Sequence, residues 1–206
     1  MFNWSQYSQY AKVKTLQKGT VLYRQGDVLN GFYYLKEGKV MISTLREDGY
    51  ERIIDFVFPG TLIGEQLLDG NASFTTATLL MDSTLYYFSK NQFEKLTIKY
   101  PNVTLEFGYS LIKKLRVLAD INSMKKAPVD VQLAHFLLNL REKKGDSLLE
   151  INQTSISKFI GKSRVAVWRV LKEWRAKDIV EISNQEFMLK DIKTLQEIEE
   201  SKLQSI

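Results

Sequence analysis

The first half of the chain carries apolar positions in short runs that glycines interrupt. Between residues 13 and 90, β-branched and aromatic runs such as "GFYYL", "VMISTL" and "RIIDFVF" are bounded by glycines, among them Gly26 and Gly38. Runs of this kind predict many short strands, and we expect an N-terminal double-stranded, jelly-roll-like β-roll of about eight strands. The pair Asp48-Gly49 predicts a tight hairpin, because both residues tolerate a positive φ.

The pattern changes to helical periodicity after Pro101. Between residues 102 and 127, apolar or small positions recur alternately three and four residues apart and end on a polar one: Gly108, Leu111, Leu115, Leu118 and Asn122. Such a seam is typical of a coiled coil and must be buried against something. We expect a dimerisation helix in which Leu111, Leu115, Leu118 and Asn122 meet a second copy of the chain. Packing of this helix on its own β-domain is the alternative.

Ala127-Pro128 is predicted to end the long helix, because a residue before proline disfavours helical dihedrals. A further helical pattern follows and is closed by Gly145. We therefore expect three parts: a β-roll at residues 1–100, a dimerisation helix and hinge at residues 101–127, and a small helical domain at residues 128–206.

The stretch "SKFIGKSRVAVWRVLKEW", residues 157–174, combines a short helix pattern, a glycine and a longer helix pattern. Asn152 and Ser163 precede the two patterns as N-cap residues. In the second pattern the inward positions, three and four residues apart, are Val167, Val170, Leu171 and Trp174. The opposite side carries Arg164, Val165, Trp168, Arg169 and Lys172.

An outward face that places Val165 and Trp168 between arginines is typical of a DNA-recognition helix. The second helix of a helix-turn-helix enters the major groove, where arginine pairs with guanine and apolar side chains contact the thymine methyl group. Two strand-like runs joined around Asn184-Gln185 predict the wing of a winged helix. Residues 151–177 contain seven Lys/Arg and one acid, so the most cationic segment coincides with this motif and predicts binding of double-stranded DNA.

Composition excludes several kinds of site. The 206 residues include no cysteine, which removes disulfides, thiolate nucleophiles and cysteine-ligated iron–sulfur clusters. The single histidine, His135, rules out a multi-histidine metal site within one chain and is expected to be a packing or surface residue. We expect no cofactor and no metal. Because the sequence shows neither a long apolar run nor a signal-peptide pattern, we expect a cytoplasmic protein without a membrane partner.

The order of β-roll, long helix, hinge and winged helix-turn-helix resembles the CRP/FNR family of bacterial transcriptional regulators. "GTVLYRQGDVLNGFYYLKEGKVMI" is similar to the opening strands of the family, "FPGTLIGE" to the loop at its effector pocket, and "ISKFIGKSRVAVWRVLKEW" to its helix-turn-helix. The resemblance implies an α+β fold without enzymatic activity. It also implies a homodimer on an inverted repeat, and RNA polymerase as a partner of an activator.

The resemblance also implies roles for the recognition helix. The DNA-binding positions are Ser163, Arg164, Val165, Trp168, Arg169 and Lys172. Ser163 and Arg164 would contact phosphate and bases at the helix start, and Arg169 would bind guanine. Val165 stands where many members carry a glutamate that accepts from cytosine, so we expect A/T-rich half-sites with thymine near Val165. Trp168 replaces a residue that is usually small, and its role stays open.

The resemblance places an effector pocket at Gly64, Glu65, Phe74, Thr75, Val117 and Leu118. Cyclic-nucleotide-binding members hold the phosphate with an arginine, whose position here falls on Phe74, and residues 53–89 contain no Lys/Arg. A buried phosphate without a cation is costly. This argues against cyclic AMP and leaves an uncharged or apolar effector, a small peptide, or none. Glu65 would either accept from a ligand hydroxyl or cap backbone amides of its loop.

Three further functions stay open from the sequence. The first is a regulator of the same shape that is active without an effector. The second is a cupin-type enzyme, although cupin chemistry generally uses several histidines and this chain has one. The third is a winged helix that binds protein rather than DNA.

Overall fold

The computed structural model describes residues 2–183 and 186–201, and the chain divides after Leu118 into two compact units. The described part of the first unit contains two four-stranded antiparallel sheets, in the orders β1-β8-β3-β6 and β2-β7-β4-β5. This confirms the predicted β-roll. Its strands are β1 Lys12–Leu16, β2 Val21–Tyr23, β3 Gly31–Glu37, β4 Val40–Leu45, β5 Glu51–Val57, β6 Leu62–Ile63, β7 Thr76–Leu79 and β8 Ser83–Ser89.

Strand β3 is buried on both faces, which explains its continuous apolar run. Successive side chains of a strand point to opposite sides. Tyr33 and Leu35 therefore join one buried cluster, together with residues of β4 and β7. Phe32 and Tyr34 join a second cluster, which is rich in aromatic rings and extends to Trp4. The first unit thus has an apolar layer on each side of this strand.

The hairpin between β4 and β5 lies at the predicted pair Asp48-Gly49. Gly49 has a φ of 78°, but Asp48 is not among the positive-φ residues of the described chain. The amide of Gly49 donates to the carbonyl of Arg46 (3.0 Å), and the Asp48 carboxylate accepts from the amide of Tyr50 (3.0 Å). The predicted hairpin is therefore present, and Gly49 supplies its left-handed residue.

Two α-helices follow the β-roll, α1 Lys90–Lys99 and α2 Asn102–Met124. A capping box of Ser89 and Gln92 begins α1, which was not predicted. Helix α2 confirms the long helical pattern but ends at Met124 rather than at Ala127. Ala127 lies beyond the end of the helix, and its carbonyl accepts a hydrogen bond from the side-chain amide of Gln132 (2.6 Å).

The second unit is a winged helix-turn-helix, as predicted. Its elements are α3 Val129–Lys144, β9 Leu148–Glu150, α4 Gln153–Ile160, α5 Arg164–Ala176, β10 Val180–Ser183, β11 Glu186–Leu189 and α6 Ile192–Glu200. The two expected wing strands, β10 and β11, pair antiparallel, and β9 adds a third strand that was not predicted. The turn predicted at Asn184-Gln185 lies outside the described residues.

His135 lies in a polar cluster within the second unit. Its Nε2 is 2.7 Å from Asp120 Oδ2, and its Nδ1 is 2.6 Å from Glu199 Oε1. The side-chain amide of Asn139 is a further neighbour. His135 is therefore a structural residue, whose ring joins the end of α2 to α3 and α6 through two carboxylates.

Among the helices of the described chain, none has both the length and the apolar character that a membrane span requires.

Candidate DNA-binding surface and effector cavity

Helix α5 begins at a defined cap. Gly161 takes the left-handed conformation that ends α4, with φ of 70°. Two residues later, the hydroxyl oxygen of Ser163 accepts from the amide of Ala166 (3.2 Å). Because the oxygen acts as the acceptor, the O–H of Ser163 can still donate, which suits a phosphate contact at the start of the helix.

The two sides of α5 differ as the sequence predicted. Val167, Leu171 and Trp174 are buried, and Val170 is half-buried. At about 100° per residue, the five outward positions fall within an arc of about 140°. All five are exposed: Arg164, Val165, Trp168, Arg169 and Lys172.

We call the side of α5 that carries these five exposed residues the outward face of α5. Two of the five side chains are apolar. Val165 is 65% exposed and Trp168 is 50% exposed. The amino group of Lys172 lies 5.1 Å from the centre of the Trp168 ring, a cation–π distance. The one acid of residues 151–177, Glu173, pairs with Lys177 (2.6 Å). The outward face is therefore cationic, with an apolar centre.

The first unit contains a cavity of about 340 Å³, which we call the effector cavity. Its lining includes all six residues that the sequence assigned to an effector pocket: Gly64, Glu65, Phe74, Thr75, Val117 and Leu118. Most of its surface is apolar. Leu111 and Leu115, which were predicted for the dimer seam, also line it.

Gly64 is required by the backbone at this cavity. Its φ is 81°, and a Cβ atom built on it would lie 2.9 Å from a methyl group of Leu67 and 3.1 Å from the ring of Tyr23. A larger residue would meet both strain and a clash. Gly64 therefore fixes the path of the chain into Glu65.

Glu65 is buried, and its carboxylate has two side-chain partners from α2. Ser110 Oγ donates to Oε1 (2.8 Å), and Lys114 Nζ is hydrogen-bonded to Oε2. Lys114 Nζ also donates to the carbonyl of Leu62 (2.9 Å). The suggestion that Glu65 caps amides of its own loop was wrong, because partners from α2 occupy the carboxylate.

Sequence reasoning missed Ser110 and Lys114. It looked for a cation within residues 53–89, whereas Lys114 reaches the cavity from α2, 49 residues beyond Glu65 in the chain. A signal was present: Ser110 and Lys114 are four residues apart, which places both on one side of a helix. Only the fold shows that this side meets Glu65.

A second polar group lies at the loop that carries Thr75. The side-chain amide of Gln66 donates to Thr75 Oγ1 (3.2 Å) and approaches the hydroxyl of Tyr23 (3.5 Å). Burial raises the pKa of Tyr23 above its ordinary value, while the hydrogen bonds with Thr75 and Gln66 act in the opposite direction. The hydroxyl is therefore neutral at physiological pH and serves as a hydrogen-bonding group.

Comparison with known families agrees with this architecture. Residues 13–100 match the family described as cyclic nucleotide-binding domain, and residues 131–198 match the Crp-like helix-turn-helix domain. The two matches are consecutive and together cover most of the chain. The chain belongs to the CRP/FNR family of transcriptional regulators. It is therefore a DNA-binding regulator and not an enzyme, and the cupin-type alternative was wrong.

Curated relatives of this CRP/FNR protein share about a quarter of its residues. The cyclic AMP receptor protein of Thermus thermophilus is 26% identical over 193 residues, covering 92% of this chain and 88% of the relative. Transcriptional activator protein Anr of Pseudomonas protegens is 23% identical, covering 86% and 76%. The solved structure of FixK2 from Bradyrhizobium japonicum matches with a TM-score of 0.80 at 19% identity, covering 91% of this chain and 96% of FixK2, which shows a shared fold.

Two residues that line the effector cavity bear on whether a cyclic phosphate could bind there. Phe74, which the resemblance places where cyclic-nucleotide-binding members carry an arginine, lines the cavity and is 64% exposed. The cation of the cavity lining, Lys114, is already paired with Glu65. A cyclic phosphate would have to take Lys114 from a buried carboxylate, which would then lose its counter-charge.

The described residues also contain no group of three histidine, aspartate or glutamate side chains arranged to hold a metal ion.

Proposed function

We propose that this regulator acts as a homodimer that binds an inverted repeat of double-stranded DNA through the outward face of α5. The observation that carries the proposal is the composition of that face, which combines Arg164, Arg169 and Lys172 with exposed Val165 and Trp168. Arginine supplies paired donors for guanine, and apolar groups suit the thymine methyl. Ser163 and Lys172 contact phosphate in this proposal, and the half-sites are A/T-rich.

The apolar face of α2 supports the dimer. Leu111, Leu115 and Leu118 are 39%, 65% and 44% exposed in the single chain. Side chains at this spacing pack into the facing helix of a coiled coil, with Asn122 as the polar position that fixes register. Two recognition helices related by a two-fold axis then meet half-sites about 34–36 Å apart.

The three parts of the chain take separate roles in this proposal. Residues 1–100 form the effector domain, residues 101–127 the dimerisation helix and hinge, and residues 128–206 the DNA-binding domain. The effector is not cyclic AMP. RNA polymerase is the further partner if the protein is an activator, and the protein acts in the cytoplasm.

A regulator that needs no effector is the second candidate, and one observation favours it. Ser110 and Lys114 of α2 both hold the carboxylate of Glu65. This internal contact joins the loop at Glu65 to the proposed dimerisation helix. In a regulator that needs an effector, the bound effector would make this connection instead.

Selection of binding sites from a random duplex library with ligand-free protein tests the proposal. We expect an A/T-rich inverted repeat, and an affinity whose logarithm falls with log salt by about 0.9 per phosphate neutralised. Arg169→Ala is expected to cost about 1–3 kcal/mol and to relax the guanine preference. Lys193→Ala, an exposed change on α6, is the control.

The outcome distinguishes the candidates. Tight, selective binding by the ligand-free protein favours the effector-independent regulator, whereas weak binding without an enriched sequence favours an obligate effector. Absence of DNA binding in low salt, even with cell extract added as a source of effector, contradicts the proposal and favours a protein-binding winged helix.

A further inference from the structure

The charges that line the effector cavity point to the class of molecule that it takes. The lining contains one cationic side chain, Lys114, and two acidic ones, Asp55 and Glu65. Each of them has a partner. Lys114 and Glu65 pair with each other, and the Asp55 carboxylate accepts from the backbone amide of Phe56 (2.8 Å). Acidic groups therefore outnumber cations, and the cation is engaged.

The burial of Glu65 makes it costly for Lys114 to leave this carboxylate and pair with a ligand. Its side chain is 1% exposed, so water does not replace a partner that it loses. An anionic ligand that bound Lys114 would leave this buried carboxylate with Ser110 as its hydrogen-bonding partner and without a counter-charge. Removing one member of a buried ion pair is strongly unfavourable. Anions are therefore disfavoured by the site itself.

The uncharged part of the cavity lining is complementary to an apolar molecule with a small polar group. Residues of the β-roll such as Ile42, Val57 and Ile63 line one side, and Leu111 and Leu118 of α2 line another. Gln66 and Thr75 supply neutral hydrogen-bonding groups at the polar part of the lining. Burial of apolar surface then provides the affinity, and one hydrogen bond provides orientation.

We propose that the effector cavity takes an uncharged, mainly apolar small molecule with a single hydrogen-bonding group, and that the Glu65–Lys114 pair sets this preference for neutral ligands. The proposal rests on the regulatory function proposed above, because it names the class of effector. It concerns ligand binding by the first unit, so its test needs no DNA.

Three probes of equal chain length and different charge test it: 1-octanol, octanoate and octylammonium. Binding to the full-length protein is measured by isothermal titration calorimetry. We expect saturable binding of 1-octanol and binding of octanoate that is about tenfold weaker or more. Val117→Trp, which places a larger side chain at the cavity lining, is expected to abolish 1-octanol binding while circular dichroism stays unchanged.

Two variants change the charge preference in opposite directions. Glu65→Gln keeps an acceptor for Ser110 but removes the counter-charge of Lys114, so octanoate is expected to become the preferred probe. Lys114→Met leaves the Glu65 carboxylate without its cation, so octylammonium is expected to become preferred. Either variant suffices if the other fails to fold.

The outcomes that overturn the proposal are distinct. Wild-type protein that binds octanoate or octylammonium at least as tightly as 1-octanol would falsify it, as would the absence of binding of all three probes. A protein that fails these titrations and still selects an inverted repeat retains the proposed DNA-binding function without this ligand class. A protein that binds 1-octanol but no DNA supports this ligand class and contradicts the proposed DNA-binding function.

Discussion

Val165 and Trp168 are the residues of α5 that depart most from a purely polar DNA-binding helix. Val165 has no hydrogen-bonding group, and one face of the Trp168 ring lies under the amino group of Lys172. Contact of Val165 with a base therefore uses apolar surface. The thymine methyl is the apolar group that the major groove presents.

Replacement of single thymines by uracil in the selected half-site tests this, because it removes only the methyl group. We expect an approximately fourfold loss of affinity at the position facing Val165, the value of one buried methyl group at about 0.8 kcal/mol. Val165→Ala should remove most of this sensitivity to uracil, whereas Arg169→Ala should retain it. Equal uracil effects in wild type and Val165→Ala would contradict the contact.

The contact between Lys114 and Glu65 could not be predicted from the sequence, whereas the outward face of α5 could. The spacing of Arg164, Val165 and Trp168 within one helix was visible, because helical geometry relates neighbours directly. The partner of Glu65 was not visible, because it depends on which turn of α2 passes the cavity. Local patterns specify faces of elements, and tertiary packing decides what each face meets.

Helix α6 is an element whose N-terminus is fixed by one carboxylate. Asp191 accepts from the amide of Thr194 (3.0 Å) and from its hydroxyl (2.6 Å). These hydrogen bonds, with the hydroxyl of Thr194 as the main cause, hold the pKa of Asp191 below its ordinary value. The helix then buries Leu195 and places Glu199 against His135.

The lowered pKa of Asp191 gives a pH dependence of known sign. A depressed carboxyl pKa stabilises the folded state above the unfolded value of about 4, and this contribution is lost as the pH falls through the folded value. We expect Asp191→Ala to be less stable than wild type at pH 7, and the difference to narrow below about pH 4. Urea unfolding at a series of pH values measures it.

Glu197→Ala, a change at an exposed position of the same helix, controls for general effects of charge. A stability difference between Asp191→Ala and wild type that stays constant throughout the acid range would show that the cap does not depend on the ionised carboxylate.

The sequence pattern did not predict every element, and strand β9 is an example. Strand β9 has three residues, Leu148–Glu150, too few for alternation to be recognised. Strand β3 was predicted because its apolar run is long, although its burial on both faces follows only from the two clusters around it. The fold class was confirmed because its signals repeat over many strands and one long helix.

On the scale of the whole molecule, the exposed apolar side chains of α2 are the main support for the proposed dimer. Leu115 is 65% exposed, and Leu105 is 63% exposed. Several exposed apolar side chains on one helix are typical of a protein interface. In the proposed dimer it is covered by the same helix of the second copy.

Leu115→Glu tests the dimer, since it introduces a charge at the same place in both copies. We expect dimer dissociation to increase about thirtyfold or more, as for a central interface residue. Sedimentation velocity over a range of protein concentrations measures it. Ile98→Glu, at an apolar position of α1 that is 82% exposed, is the matched control and should remain dimeric. Unchanged association of Leu115→Glu would place the dimer interface elsewhere.

Three leucines of α2 line the effector cavity and also belong to the proposed dimer seam: Leu111, Leu115 and Leu118. This shared use affects how the regulator responds to its effector. A ligand and a second subunit that touch the same atoms are thermodynamically linked, and the linkage is reciprocal. A ligand that tightens the dimer must itself bind more weakly on dilution. The abundance of the regulator in the cell would then set the threshold at which it responds to its signal.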